Sequence, residues 1–529
     1  MINVTDYGAV ADWINDTSPG TNNEAAFEAA ITAANAVGDE IYFPPGNYWL
    51  DKPIYKTGLK NLRFQGPGAI IICRGSDSVP NVNGTGGGFT LEGDYLTIEG
   101  LTFQGWAEAI GVTGPYNYGR LVQLAGNYNR VQNCNFHDGN GGAIQITGNY
   151  NIISHNFFEK CNNYPVEYAD YGAIQVTGSS EYNTISENKI VDQFYSGVCA
   201  YGNQVQYLDI LNNYIRSNSS DMAIDHSMGL YFLEGANRNL KIIGNTIEKV
   251  DAEGIVIQSM DSAPASTCMI SNNVIRDFDY IGISFECATN NSGTTFSDFT
   301  VTDNLIESTS AAPKYAYHIW LDRVADSIIA NNKCIGYNKL GTSIGMNNSC
   351  PRNQISDNQI KGVSNGISFY SPDGTLKDNH IYNCTTGLTL AYCYGASILG
   401  NFIKTCDTGI TYGINSSPLH IVNNSIVNCT SNYSGTVAPE VLTFSGVAAD
   451  GSYSSFVNTG SLSNGNASVT FYNIYDGDRF LVLPANQSGN GQGSMYVSLI
   501  DVANNIVKVK STDNSDDRDF ILIKMVSGG

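Results

Sequence analysis

Two acidic residues, Glu286 and Asp322, stand in alternating stretches that aim them away from a core. In Gly282-Ile283-Ser284-Phe285-Glu286, Ile283 and Phe285 take one side while Ser284 and Glu286 take the other. In Tyr317-His318-Ile319-Trp320-Leu321-Asp322-Arg323, the same alternation sends Tyr317, Ile319 and Leu321 inward and His318, Trp320 and Asp322 outward in one row. On neighbouring strands offset by two residues, the two acids have backbones ~8 Å apart, from ~4.8 Å across the strands and ~6.6 Å along them. Carboxyl groups at that separation suit the two sides of a glycosidic bond, one protonated to serve the leaving oxygen and one ionised to activate water. Stacked acids push each other's pKa apart in the required sense. Trp320 offers a face to a sugar ring, and Arg323 and His318 offer partners for an acidic substituent. Glu253, Glu234 and Asp225 are the reserve carboxylates, and Tyr231, Gln258, Tyr201 and His226 are the further expected sugar contacts. The bland alternative is a solvated Glu286 and a local Asp322–Arg323 ion pair, which is the commoner fate of such residues.

Acids this far apart in sequence meet only if the chain coils, and a repeat says that it does. A phrase of aliphatic residue, two variable residues, Asn, one variable residue and an apolar residue recurs, as in Ile185 to Ile190, Ile210 to Ile215, Ile242 to Ile247 and Ile398 to Ile403. Its asparagines are 156, 188, 213, 245, 273, 304, 332, 358, 379, 401 and 424, with Cys134 and Leu101 in the slot upstream. Spacings of 21 to 32 residues with alternating β-branched residues mean a solenoid. A second phrase, Gly followed by apolar, variable and apolar residues, interleaves at Gly254, Gly282, Gly366, Gly387 and Gly409. Each coil thus holds at least two strands, with bends at Gly and Asn, which tolerate positive φ. The expected architecture is a parallel β-helix whose stacked asparagines bond their amides to one another along the axis.

Coils reaching 188, 245, 273, 304 and 332 carry extra segments, which places the groove between about 160 and 350. After Asn424 the phrase stops. Residues 440 to 529 read as a separate antiparallel sandwich with alternating strands such as Arg479 to Leu483 and Phe520 to Lys524. The expected organisation is a cap at 1–55, a β-helix at 56–435 and the sandwich at 440–529, whose role is capping, trimerisation or sugar binding.

A net charge of −22 argues against a nucleic-acid partner, and no run of about 18 apolar residues argues for membrane insertion. Twelve cysteines lack any CxxC or zinc spacing. Cys161, Cys384, Cys406 and Cys429 share a column with Val250, Phe278 and Val363, so they read as small buried hydrophobes. No metal or other cofactor is implied.

The first 55 residues carry a family signal: Val4-Thr5-Asp6-Tyr7-Gly8-Ala9-Val10, a helical stretch from Asn23 to Ala36 that Asn22 or Asn23 can cap, and Ile41-Tyr42-Phe43-Pro44-Pro45-Gly46-Asn47-Tyr48. This order resembles the start of the pectate-lyase-like right-handed β-helix proteins, among them polygalacturonases and bacteriophage tailspikes. The resemblance implies a helix capping the open end of the solenoid and an activity on polysaccharide. The Asn-Thr-Asp and Gly-His-Gly phrases of plant and fungal polygalacturonases are absent. So is the aspartate-rich calcium site of pectate lyases. That moves the expected substrate from pectin to a bacterial capsule or O-antigen, cleaved by a homotrimeric tailspike. Competing readings are a lyase acting by β-elimination on a uronic-acid polymer and a non-catalytic spike or adhesin. Met1 to Asp6 lacks a signal peptide, so the expectation is cytoplasmic synthesis, then a place on a virion tail or non-classical secretion.

Overall fold

The computed structural model describes residues 1–15, 19–73, 88–105, 120–139, 141–161, 172–193, 195–217, 227–233, 238–259, 266–287, 296–308, 317–347, 350–413 and 419–435; beyond 435 it describes the backbone of strands between 442 and 525. The chain divides into two compact units, 1–341 and 342–529.

The first unit opens with a cap. Helix α1 (Glu24–Val37) buries Ala26, Phe27, Ala30, Ile31 and Ala34, a stripe at helical spacing. Phe27 meets Phe43 edge-on at 5.0 Å between ring centroids and reaches Tyr48 and Phe89 at 5.6 and 6.3 Å. Of the two asparagines able to cap, Asn22 accepts from Glu24 N. Asn23 instead ties the preceding loop down, accepting from Val10 N at 2.7 Å and donating to Val10 O at 3.0 Å. Gly38 ends the helix at φ 67°.

Behind the cap, each coil carries three parallel strands. The ladder asparagine stands at the bend between the second and third, preceded by a left-handed residue such as Glu187, Asn212, Asn272, Asp303 or Asn331. Asn156, Asn188, Asn213, Asn245, Asn273, Asn304 and Asn332 are 0–2% exposed. Asn213 is typical. Its Nδ2 donates to Asn245 Oδ1 at 3.0 Å and to Ile185 O at 2.9 Å, and its backbone N–H donates to that same Oδ1 at 2.9 Å. Both amide hydrogens and the carbonyl are used, which is the condition for burying an amide. Asn358, Asn379, Asn401 and Asn424 repeat the arrangement in the second unit.

Six first-position strands carry the site: β1 (Gly172–Glu181), β2 (Ser196–Gln206), β3 (Met228–Leu233), β4 (Ile255–Ser259), β5 (Ile281–Cys287) and β6 (Tyr317–Asp322). Their inward residues, among them Ile174, Val198, Leu230, Ile255, Ile283 and Ile319, are fully buried in register. Cys161, Cys384 and Cys406 are buried free thiols and Cys429 is half-buried; burial pushes the Cys161 thiol up to about 12.

The second unit holds short bare coils from Thr342–Asn347 to Ser431–Gly435, followed by antiparallel strands. Asp519–Met525 lies between Ser454–Ser461 and Arg479–Pro484. Asn466–Thr470, Ile506–Ser511 and Met495–Asp501 form a separate antiparallel sheet.

Candidate active site

Pleating of β1 to β6 sets two outward rows. The first is Gln175, Cys199, Tyr231, Val256, Ser284 and Trp320; the second is Thr177, Tyr201, Leu233, Gln258 and Glu286. Phe285 pairs with Leu321, so the next rung sets Asp322 beside Glu286. Gln175, Cys199, Val256 and Ser284 are at most 3% exposed although they point away from the core. Tyr201, Tyr231, Gln258, Glu286, Trp320 and Asp322 remain half-exposed.

The two-residue offset expected between the acids is corrected to none. Ile283 faces Ile319 and Ser284 faces Trp320, which leaves Glu286 and Asp322 one rung apart, about 4.8 Å between backbones instead of ~8 Å. Both keep the outward direction.

The expected outward His318 is also corrected, because its ring lies inside, 1% exposed. Register places it opposite Gly282, in the slot that glycine fills on the preceding coils. At Gly197, Gly229, Gly254 and Gly282 a Cβ would meet the Cγ2 of Ile215, Ile247, Ile275 or Ile306 at 2.5–2.6 Å. In the His318 coil that isoleucine is replaced by Cys334, which pairs with Ile306. The smaller side chain makes room for the imidazole, whose Nε2 lies 3.0 Å from Ile335 O and whose ring meets Phe278 edge-on at 6.0 Å. Burial lowers its pKa to about 4. A neutral, enclosed ring cannot hold an acidic substituent in the groove.

Glu286 is tightly held. It accepts from Ser284 Oγ at 2.7 Å and, at the long limit of 3.5 Å, from Gln258 Nε2. Gln258 Oε1 in turn accepts from Tyr231 Oη at 3.0 Å. Glu253, immediately before Gly254 at the entry to β4, is pushed up to about 7 by burial and by the charge of Glu286. Register sets Glu253 level with Ile281, five residues along the strand from the Gln258–Glu286 rung. Trp320 packs against Tyr317 at 4.5 Å between ring centroids, tilted by 51°. Arg323 follows at a left-handed bend with φ 56°. Upstream, buried Arg120 donates from Nε to Gln175 Oε1 at 3.0 Å. Glu234, Asp225 and His226 lie outside the described residues.

Sequence reasoning gave Ser284 no role and Glu253 only a reserve one. The signal for Ser284 was its place two residues before Glu286 on the same face; nothing in the sequence announced the raised carboxyl of half-buried Glu253.

Among the described residues no group of three or more His, Cys, Asp or Glu is gathered to hold a metal ion.

Three family models match. Rhamnogalacturonase A/epimerase, pectate lyase-like, covers 1–86. Right handed beta helix region covers 87–221 and 166–312, and periplasmic copper-binding protein (NosD) covers 287–444. These matches and the coil geometry show a right-handed parallel β-helix similar to the pectate-lyase-like proteins. Solved structures that share the fold include the Dettilon tailspike protein, at 12% identity and a TM-score of 0.50 over 99% of this chain and 94% of that one. The Streptococcus pneumoniae surface adhesin PfbA is similar at 19% identity and a TM-score of 0.49 over 74% and 91% of the two chains. A GH87 α-1,3-glucanase of Streptomyces thermodiastaticus is similar at 14% identity and a TM-score of 0.46, covering 83% and 68%. No curated protein sequence matches the chain.

Proposed function

We propose that this protein is a tailspike-type glycoside hydrolase that cleaves a bacterial surface polysaccharide, capsule or O-antigen. The carrying observation is the pair of outward acids on adjacent rungs, Glu286, held by Ser284 and Gln258, and Asp322; burial that raises the Glu253 carboxyl adds a third acid to the same coils. In this reading Glu253 gives its proton to the glycosidic oxygen as the bond to the anomeric carbon breaks. Glu286, with Asp322 on the next rung, supplies the negative charge that activates water or stabilises the positive sugar centre. Trp320 stacks against the ring on one side of the cleavage point, and Arg323, Tyr231, Gln258 and Tyr201 contact neighbouring sugars. The likeness to a tailspike along nearly the whole chain supports the further proposal of a place on a virion tail, and a homotrimer is proposed with it.

The test is incubation with capsules and O-antigens from a panel of bacteria, followed by assay of reducing ends. The expected result is new reducing ends from one serotype, lost in Glu286→Gln and Glu253→Gln and strongly reduced in Asp322→Asn. Fragments with ultraviolet-absorbing unsaturated ends would move the assignment to β-elimination. Cleavage that survives both glutamate changes would remove these carboxylates from the chemistry.

A further inference from the structure

A second polar concavity lies on a different sheet of the coils, the one built from third-position strands. It is an open depression of ≈ 520 Å³. Phe157, Tyr214, Lys189, Arg216, Glu159 and Asp192 line it. Register stacks Phe157, Lys189 and Tyr214 in one outward row, with Glu159, Val191 and Arg216 in the next. The ladder slips between Val191 and Gln193, where Asp192 takes φ 55°. Bulges of this kind re-aim side chains and recur beside sites.

Charge pairing on this face changes at the concavity. On one side Arg276 pairs with Glu307 at 3.3 Å and with Glu248 at 4.0 Å, and at the hollow itself Glu159 lies 3.2 Å from His137 Nδ1. Among the described residues neither Lys189 nor Arg216 forms an ion pair, and Arg216 Nε is buried with no hydrogen-bond partner. The Lys189 ammonium stands 5.6 Å from the centre of the Phe157 ring. Two cations that form no ion pair among the described residues thus share an aromatic-lined hollow with Glu159 and Asp192, in a chain of net charge −22.

We infer that this hollow is an accessory binding site for a carboxylated sugar, separate from the Glu286 groove. Arg216 and Lys189 take the sugar carboxylate, Arg216 as a fork and Lys189 as a point charge. The Tyr214 and Phe157 rings meet the apolar side of the pyranose, and Glu159 and Asp192 accept from its hydroxyls. Those two acids oppose a continuous polyanion such as nucleic acid and favour one carboxylate among neutral hydroxyls. The site needs no bond cleavage, so it stands or falls independently of the proposed hydrolysis.

The experiment is calorimetric titration of the full chain with a glucuronate-containing tetrasaccharide, with maltotetraose as the neutral control. Expected are saturable binding of the acidic probe, weakened about tenfold or more in Lys189→Ala/Arg216→Ala, partial loss in Arg216→Lys, and unchanged binding in Glu286→Gln. No saturable binding of the acidic probe, equal binding of maltotetraose, or binding that follows Glu286→Gln and ignores the Lys189 and Arg216 changes would overturn the inference.

Discussion

Glu253 and His318 carry the two largest departures from solution behaviour near the groove, and their signs differ in consequence. The carboxyl of Glu253 is raised from 4.5 to about 7, so its folded form holds a proton that the unfolded chain has already lost. Folding is therefore favoured below pH 4.5 relative to higher pH, and this share is lost as pH rises through 7. At pH 8 the cost of ionising the buried carboxyl reaches ~3 kcal/mol at its upper limit. Glu253→Gln removes that dependence. The variant should gain stability over the parent at pH 8 but not at pH 4, as read by denaturant midpoints, while losing cleavage at every pH. His318 runs the other way. Its pKa falls from 6.5 to about 4, so the stability of the neutral buried ring is complete above 6.5 and drains as pH falls towards 4. His318→Gly should flatten that acid limb.

At the scale of the element, two exchanges test what holds a coil together. Glycine at the inward slot goes with isoleucine on the third strand, and histidine goes with cysteine. His318→Gly alone should cost ~2–4 kcal/mol through the cavity it leaves, and Cys334→Ile alone should clash with the ring. The double variant should recover most of the loss, a coupling that a double-mutant cycle reads directly. Asn245→Ala strands the donors of Asn213 that end on its Oδ1 and the Ile210 carbonyl that its Nδ2 serves. The expected cost is ~2–4 kcal/mol, seen as a lowered urea midpoint. Tyr95, Tyr128, Tyr150, Tyr182 and Tyr207 form another column, their rings 4.4–4.9 Å apart and parallel within 7°. All five stand at left-handed bends, positions that glycine and asparagine ordinarily occupy, so the backbone itself does not call for tyrosine there.

For the whole molecule, the charge and the repeat decide the kind of partner. A net charge of −22 disfavours polyanions as partners. Cleavage of the matching capsule should accordingly change little between low and moderate salt, whereas binding of the glucuronate probe at Lys189 and Arg216 should weaken as salt rises. Equal salt sensitivity of the two, measured on the same preparation, would show that they share one site.

The sequence by itself determined the coil. A polar side chain buried at every turn must have its hydrogen bonds met by its own kind, so asparagines recurring every 21 to 32 residues between aliphatic residues admit few folds besides a stacked one. The same alternation set Glu286, Asp322 and Trp320 on the outer wall, since a side-chain period of two follows from the strand alone. Tertiary structure decided the rest. The register between Glu286 and Asp322 depends on loops of unequal length between their strands, which periodicity does not count. The inward turn of His318 depends on the volume left by Cys334, sixteen residues away. The proton on Glu253 depends on lost solvent and on the nearby charge of Glu286, and neither exists until the coils close.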